Sequence, residues 1–463
     1  MEFSKIIEKG LALGISEIEI YAESSVSNNI KLLKGKVETY NLSNLKAVTI
    51  RGLYNGKMAV VSTENVSEEA VEALLHQLIE NSKVLTAPEK EFIFAGGAKY
   101  EEVESLKADY DNYSFEQKVE LLKEMEARAL AGDARIRQVG HCNFTEAKQR
   151  VEIINSKGVN LVSEDSYMAL VIGVVAADEA GNTSVGYAGD YNTKFEAIDK
   201  DKILKEALDN ALFTLGAGSP LTGEYEVVLK SDVATEILQA FSSVFSGEAA
   251  MKKMSILVDK LGTKVFGENI TIVDDPFYPK ALDKSAFDGE AVPTKTKKLV
   301  ENGIFNTFMH NQKTANFFGC ESTGNGGKCG KGVRPNNLVL LPGTETKEEI
   351  IKQIKHGIYI TDVAGLHAGL NPISGAFNVQ SSGALIENGE IVKPITLFVT
   401  SGNFFEMFNE VTHIGNDIED RFLGVAAPTI AVKKLMISGK KYRLFRVFIH
   451  SFSVFFTVWF FYN

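Results

Sequence analysis

Apolar residues recur along the chain with two distinct periods. Phe3, Ile6, Ile7 and Leu11 stand at helical spacing, and Gly14 can end the helix they predict. Short β-prone runs follow: SEIEIYAES, NNIKLLKGKVETY, KAVTIRGLY and KMAVVSTE. Asn55-Gly56 lies between the last two, a hairpin signal because both central positions of that turn need φ > 0. Val71, Leu74, Leu75, Leu78 and Ile79 then share one helical face. Residues 1–94 are therefore expected to form an α+β unit, helices packed on an antiparallel sheet.

The stretch TAPEKEFIFAGGAKYEEVESLKADYDNY carries little periodicity and reads as a connector. A second α+β unit, 114–216, opens on Ser114, whose partner Gln117 completes a capping box. Strands are predicted across IRQVGHCNFTEAKQRVEIINSKGVNLVSEDSYMALVIGVVAAD, and a helix on Ile203, Leu204, Leu208 and Leu212 closes the unit. Residues 222–439 read as a larger, mainly antiparallel β domain. There YEVVLK leads into a helix with Val233, Ile237, Phe241 and Val244 on one face. Two hairpins, LVENGIFNTF and LIENGEIVKP, turn on Asn-Gly, and Thr346 with Glu349 caps a helix expected to run to Gly357. The fold class expected is α+β throughout.

At 463 residues with 44% hydrophobic and 24% charged, the composition is that of a globular chain. Three cysteines, one of them the isolated Cys142, argue against a disulfide framework and for a reducing compartment. The N-terminus mixes acids with apolar residues and lacks the order of a signal peptide, so a cytoplasmic location is expected. Net charge is −11; the segment from Lys440 holds four basic residues and no acid, leaving 45 basic against 60 acidic in the body. A body that acidic repels phosphate backbones, which argues against sequence-independent nucleic-acid binding.

That final segment, 440–463, stands apart. It holds the single Trp and a dense aromatic run broken by Arg446 and His450. Its two readings are a C-terminal membrane anchor and a non-native extension past a domain end near Gly439. The second is preferred, because PTIAVKKLMISG already reads as a finished domain edge. Apart from this tail, nothing points to a membrane.

The glycine-rich stretch GCESTGNGGKCGKGV, Gly319 to Val333, invites a phosphate-loop reading that spacing rejects. Five residues before Gly330-Lys331 stands Asn325, and Gly332 occupies the position where a hydroxyl is required. A dinucleotide fingerprint from Gly324 places Cys329 where its last glycine belongs. Cys320 and Cys329 also lack a second Cys or His pair at zinc-finger spacing. Of the histidines, His76 falls on the polar face of its helix, and His141 and Cys142 point to opposite faces of a strand. His356 is expected in the last turn of its helix. His310, His367 and His413, with Glu406 and Glu410, remain as a site that could be assembled only in three dimensions. No H-E-x-x-H, H-E-x-x-x-H or G-x-S-x-G occurs.

The order and spacing of four phrases carry a resemblance. They are F-D-x-E-x-V-P-T (Phe287–Thr294), L-V-E-N-G (Leu299–Gly303), E-S-T-G-N (Glu321–Asn325) and the SGAF…GALIENGE block. Together they resemble the TldD/PmbA family, historically described as modulators of DNA gyrase. The resemblance implies a cytoplasmic peptidase system in which a TldD-like subunit, bearing H-E-x-x-x-H and a late zinc-binding cysteine, pairs with a PmbA/TldE-like subunit around a cavity for unstructured peptide. Here the corresponding helix reads LQAFSS (Leu238–Ser243), and the thiolate position falls on Ile414. The resemblance thus points to the zinc-free subunit, with zinc in the TldD-like partner and no cofactor or catalytic residue in this chain. It further suggests Phe287, Asp288, Glu290, His310, Ser322, Thr323 and Asn325 as peptide-cavity contacts, and ESTGNGG as a loop at the cavity rim or subunit contact. Two rivals stay open: an autonomous metallopeptidase using an unrecognised site, and a homodimeric peptide-binding or scaffold protein, homodimerisation being the assembly left to a chain without its partner.

Overall fold

The structure, a computed structural model, describes residues 2–86 and 91–440. The tail beyond Lys440 lies outside the described residues. Among the described residues no helix is long and apolar enough to cross a membrane.

The fold is α+β, as expected. Strands β1 (Glu17–Leu33), β2 (Lys36–Tyr54) and β3 (Lys57–Thr63) form one antiparallel meander; β4 (Ile136–Asn155), β5 (Asn160–Ala177) and β6 (Thr183–Asn192) form another. β1 also pairs with β4 over Glu19–Lys31, which fuses the two into a single six-stranded sheet of order β3-β2-β1-β4-β5-β6. The length of β1 lets the same face of one strand serve two cores, one at each end. Ile18 and Ile20 pack beneath α1 (Phe3–Ala12) and α2 (Glu68–Val84). Ile30 and Leu32 pack beneath α3 (Phe115–Gly132) and α4 (Lys200–Phe213). Residues of opposite parity, Glu19, Tyr21 and Glu23, face the other way, toward the third region.

That region holds β7 (Gly223–Leu229), β8 (Ile272–Asp274), β9 (Lys297–Glu301), β10 (Ile304–Phe305), β11 (Leu338–Leu340), β12 (His356–Ala364), β13 (Ala376–Glu387), β14 (Glu390–Asn403), β15 (Val411–Ile414), β16 (Val425–Ala426) and β17 (Ile430–Ser438). A five-stranded sheet runs β10-β9-β8-β11-β16, and a six-stranded sheet runs β14-β13-β12-β7-β17-β15. β14 also pairs with β17, so β7, β12, β13, β14 and β17 close on one another. Closure leaves those strands no free edge. α5 (Ser231–Phe241) packs against β12 of one sheet and β16 of the other, and α6 (Gly247–Met251) and α7 (Gln312–Phe318) pack on each other. Phe241, Phe245, Phe266, Phe305, Phe377, Phe398, Phe404 and Phe408 fill the core around them.

All three Asn-Gly turns form with both residues left-handed: φ is 51° and 74° at Asn55-Gly56, 49° and 80° at Asn302-Gly303, and 51° and 83° at Asn388-Gly389. The capping boxes at Ser114/Gln117 and Thr346/Glu349 are both made. His356 corrects the reading of its neighbourhood. Its helix ends at Gln353, and His356 instead opens β12. The alternating Ile358 and Ile360 are needed between β7 and β13, and that pairing wins over continuing the helix.

Candidate functional site

The stretch Phe287–Thr294 folds back on itself about Asp288. One carboxylate oxygen accepts the backbone N–H groups of Glu290 and Val292, each at 2.9 Å. The other accepts the N–H of Gly326 at 2.7 Å, tying this turn to the glycine-rich loop. Burial, then the nearby Glu290, pushes the Asp288 carboxyl up to about 7, against the three backbone donors. Ala291, at φ 61°, carries the left-handed turn.

Glu290 points the other way. Its Oε1 accepts Arg51 Nη1 at 2.7 Å, and its Oε2 accepts the N–H of Gln312, the first residue of α7, at 2.8 Å. Arg51 reaches up from β2 and also donates Nε to Glu19 of β1 at 2.8 Å. Glu19 in turn accepts from Asn155. Burial opposes the charge on Arg51, but Glu19 and Glu290 more than offset it, and its pKa is raised. A second anchor lies alongside: Lys328 of the loop pairs with Glu23 and lies 5.4 Å over the Tyr21 ring. The glycine-rich loop therefore docks on the bare face of the N-terminal sheet.

Its glycines serve contacts within this chain. A Cβ at Gly289 would stand 2.5 Å from the backbone of Gly327; one at Gly324 would stand 2.6 Å from the Pro293 carbonyl, and one at Gly326 2.6 Å from Glu290 Oε2. Asn325 is the hub of the loop: it donates to Asp274 at 2.6 Å and to the Arg334 carbonyl at 2.9 Å, and accepts from Lys297 at 2.8 Å and Thr323 at 2.7 Å. Lys297 closes the set on Asp274 at 2.7 Å. The N–H of His310 donates to Thr323 Oγ1 at 2.6 Å, and the His310 carbonyl accepts from Ser322 at 3.1 Å. Its ring, wedged by Phe308 and Phe318, is held well below the usual imidazole range, to about 4, by burial.

The seven residues suggested from sequence thus lie around one loop, but not with equal access. Asp288, Glu290, His310, Thr323 and Asn325 are buried. Phe287 and Ser322 are half-buried. Arg51, Glu19 and Lys328 belong to the same network and were not singled out from sequence. The available signal was a charge inside a β-prone run, as in SEIEIY and KAVTIRGLY. Of the two loop cysteines, Cys320 is exposed, while burial pushes the Cys329 thiol up to about 12.

Phe287 opens onto a groove. A cleft of ≈ 230 Å³ lies between Tyr100, Leu161 and Phe287. It continues through Val103, Ser105, Asp165 and Lys284 into a cleft of ≈ 830 Å³ that reaches Lys194, Lys280 and Arg421. One wall is the connector, extended and without regular structure from Tyr100 to Lys107. It is held by Leu106, whose N–H donates to Asp165 Oδ1 at 2.8 Å. Tyr100 packs edge-on against Phe287, ring centres 6.3 Å apart, and donates its hydroxyl to the Ala291 carbonyl. The groove and the buried network are therefore two sides of the Phe287–Thr294 turn.

The remaining histidines do not join them. His413 sits on β15 with its Nδ1 2.9 Å from Glu345, and His367 and Glu406 are exposed on separate short helical turns. Among the described residues, no three His, Cys, Asp or Glu side chains come together in a way that could hold a metal ion. The stretch Leu238–Ser243 also does not fit zinc: Leu238 is wholly buried in the phenylalanine core, and its neighbours supply only an amide and hydroxyls. Ile414, buried on β15, offers no donor.

Three family models match the chain in order: domain 1 of the PmbA/TldA metallopeptidases over residues 18–82, the central domain over 108–214 and the C-terminal domain over 222–439. A metalloprotease of Methanocaldococcus jannaschii is 28% identical, covering 89% of this chain and 92% of its own length. A metalloprotease PmbA homologue of Haemophilus influenzae is 26% identical, with 92% of each covered. Among solved structures, a candidate modulator of a DNA gyrase from Thermotoga maritima matches with a TM-score of 0.85 at 29% identity, covering 94% of this chain and all of that one. TldE from Thermococcus kodakarensis shares the fold, with a TM-score of 0.82 at 23% identity over 94% of this chain and 100% of its own.

Proposed function

Because the chain belongs to the PmbA/TldD metallopeptidase family, we propose that it is the family's non-catalytic, TldE-like subunit, which helps enclose an unfolded peptide for a zinc-bearing, TldD-like partner. One observation carries this reading: the residues at the family's zinc positions, Leu238–Ser243 and Ile414, are core aliphatics, an amide and hydroxyls. A catalytic zinc site needs three protein ligands and a base to activate water.

On this reading the peptide lies along the groove beside Phe287, its backbone opposite the extended connector. Backbone pairing of that kind carries little sequence preference, which suits an unstructured substrate. Asp288, Glu290, His310, Thr323 and Asn325 act behind the wall, holding the turn and loop that shape it, while Phe287 lines the groove and can touch the peptide; Ser322, bonded to the His310 carbonyl, is not among the residues that line it. Zinc is expected in the partner. The work takes place in the cytoplasm.

The test is purification of the full chain alone and co-expressed with a TldD-like subunit, followed by zinc analysis and hydrolysis of an unfolded peptide. Zinc and turnover only in the pair are expected. Stoichiometric zinc with turnover by the isolated chain would overturn the reading in favour of an autonomous enzyme.

A further inference from the structure

Three buried polar groups from separate stretches meet where β8, β9 and the glycine-rich loop converge. Asp274 ends β8 and Lys297 opens β9, and the two are opposed across the antiparallel pair. The loop brings Asn325 to them, pressed so close at Gly324 that a Cβ there would stand 2.6 Å from the Pro293 carbonyl. Asp274, Lys297, Asn325 and the neighbouring Thr323 are all buried. Burial lowers the Lys297 pKa even though Asp274 pulls it the other way, so the uncharged amine forms more readily than on an exposed lysine.

The distances give each group a chemical part. Lys297 Nζ lies 2.8 Å from the side-chain carbonyl oxygen of Asn325 and 2.7 Å from Asp274 Oδ2. Thr323 donates its hydroxyl to the same Asn325 oxygen at 2.7 Å, so a charge developing there meets a donor already in place. The Asn325 amide nitrogen donates to Asp274 Oδ2 at 2.6 Å. One carboxylate oxygen thus touches both the amine and the amide nitrogen, while the other is fixed by the N–H of Asn336 at 2.7 Å. We propose that Lys297 and Asn325 condense into a side-chain isopeptide bond that staples β9 to the glycine-rich loop. Asp274 first takes a proton from the Lys297 ammonium. The free amine attacks Cγ of Asn325, and the Thr323 hydroxyl holds the charge that forms on Oδ1. Asp274 passes its proton to the Asn325 nitrogen, the Cγ–Nδ2 bond breaks and ammonia leaves. Asp274 then takes the remaining proton from the new amide nitrogen. An ammonium, a carboxylate and a carboxamide become a secondary amide, a carboxylic acid and ammonia, so atoms and charge balance without a co-reactant. The product replaces a buried ion pair by neutral groups, which relieves the desolvation of two charges.

The inference goes beyond the zinc-free-subunit reading and does not depend on it, since its readout is covalent mass rather than zinc or turnover. The full chain, denatured after purification, is expected to weigh less than its sequence by the mass of one ammonia. Trypsin should release one branched peptide, residues 296–298 joined to residues 314–328, with no cleavage after Lys297. Lys297→Met keeps most of the side-chain volume, removes the nucleophile and should carry the full mass. Asp274→Asn should do the same, with circular dichroism verifying the fold of both variants. In cell-free synthesis the branched fraction can be followed in time, and Thr323→Val is expected to slow its appearance about a hundredfold. A parent chain of full mass that trypsin cleaves after Lys297, even following prolonged incubation at neutral pH, would overturn the proposal. So would an ammonia loss that maps to other residues, such as an imide at an Asn-Gly turn. A branch that forms at the parent's rate in folded Asp274→Asn or Thr323→Val would overturn it too.

Discussion

Arg51 and Glu290 are 239 positions apart in the chain and meet at 2.7 Å with both side chains almost wholly buried. Arg51 also holds Glu19, so one guanidinium sits between a carboxylate of the N-terminal sheet and one of the turn that backs the groove. Arg51→Met leaves two buried carboxylates facing each other without a cation. Breaking such a network from one side costs about 3–5 kcal/mol. The expected outcome is a matching loss in urea denaturation, recovered in part when Glu19→Gln and Glu290→Gln are added. A loss below 1 kcal/mol would mean the network is as weak as a surface pair.

Gly289 tests the turn from its backbone. A methyl group there would stand 2.5 Å from the carbonyl carbon and oxygen of Gly327, neither of which is the end of a flexible side chain. Gly289→Ala must therefore push the glycine-rich loop off the N-terminal sheet or be accommodated with strain. Overpacking of this kind costs about 1–3 kcal/mol. Loop displacement should appear as faster amide exchange across Gly324–Gly330. Unchanged exchange and stability would show that the close approach is not needed.

His310 sets a pH dependence whose sign follows from its burial. Its folded pKa is lowered to about 4 against an unfolded value near 6.5, so between those values the unfolded chain binds the extra proton. The contribution of His310 is intact above pH 6.5 and is lost as pH falls toward 4, by about 2–3 kcal/mol. Asp288 acts with the opposite sign. Its folded pKa is raised to about 7, so its contribution is present at low pH and fades as pH rises through 7. The stability difference between the parent and His310→Phe isolates the histidine: it should narrow steadily from pH 7 to pH 4, in favour of the variant. A flat difference would place the ring in water.

Local patterns were legible in the sequence because they are settled by adjacent residues. Asn55-Gly56 needs only its own two φ angles, and Ser114 needs only Gln117, so turns and caps were read correctly. The face of α2 was likewise set by its own spacing. The end of the helix before His356 was misread, because the competitor was not local: β7 and β13, distant in sequence, claim Ile358 and Ile360. The pairing of β1 with β4 was invisible for the same reason. Around the candidate site, the phrases containing Asp288 and Asn325 could be found, but not that Glu290 turns toward Arg51. A carboxylate reads the same in sequence whether it faces a substrate or a buried guanidinium.

Phe287 is the residue at which the buried network becomes accessible surface, and it gives the sharpest test of the groove. Its ring lies against Tyr100 on one side and opens to the cleft on the other. Truncation to alanine removes an aromatic wall that an extended peptide would cover, a change worth about 1–2 kcal/mol in binding. The groove carries Lys280, Lys284 and Arg421 as well as Asp165 and Asp420, so its charges offset one another and binding should depend only weakly on salt. Phe287→Ala is therefore expected to weaken binding of a labelled unfolded peptide about tenfold, at low and moderate ionic strength alike. Because the ring is only half-buried, the melting temperature should move little. Lys205→Ala, exposed on α4 in a pair with Asp209 and not among the residues that line the groove, serves as the control and should bind as the parent does. If both variants bind equally well, the peptide does not lie along this groove. A steep salt dependence in the parent chain would instead point to a charged surface elsewhere as the peptide's main contact.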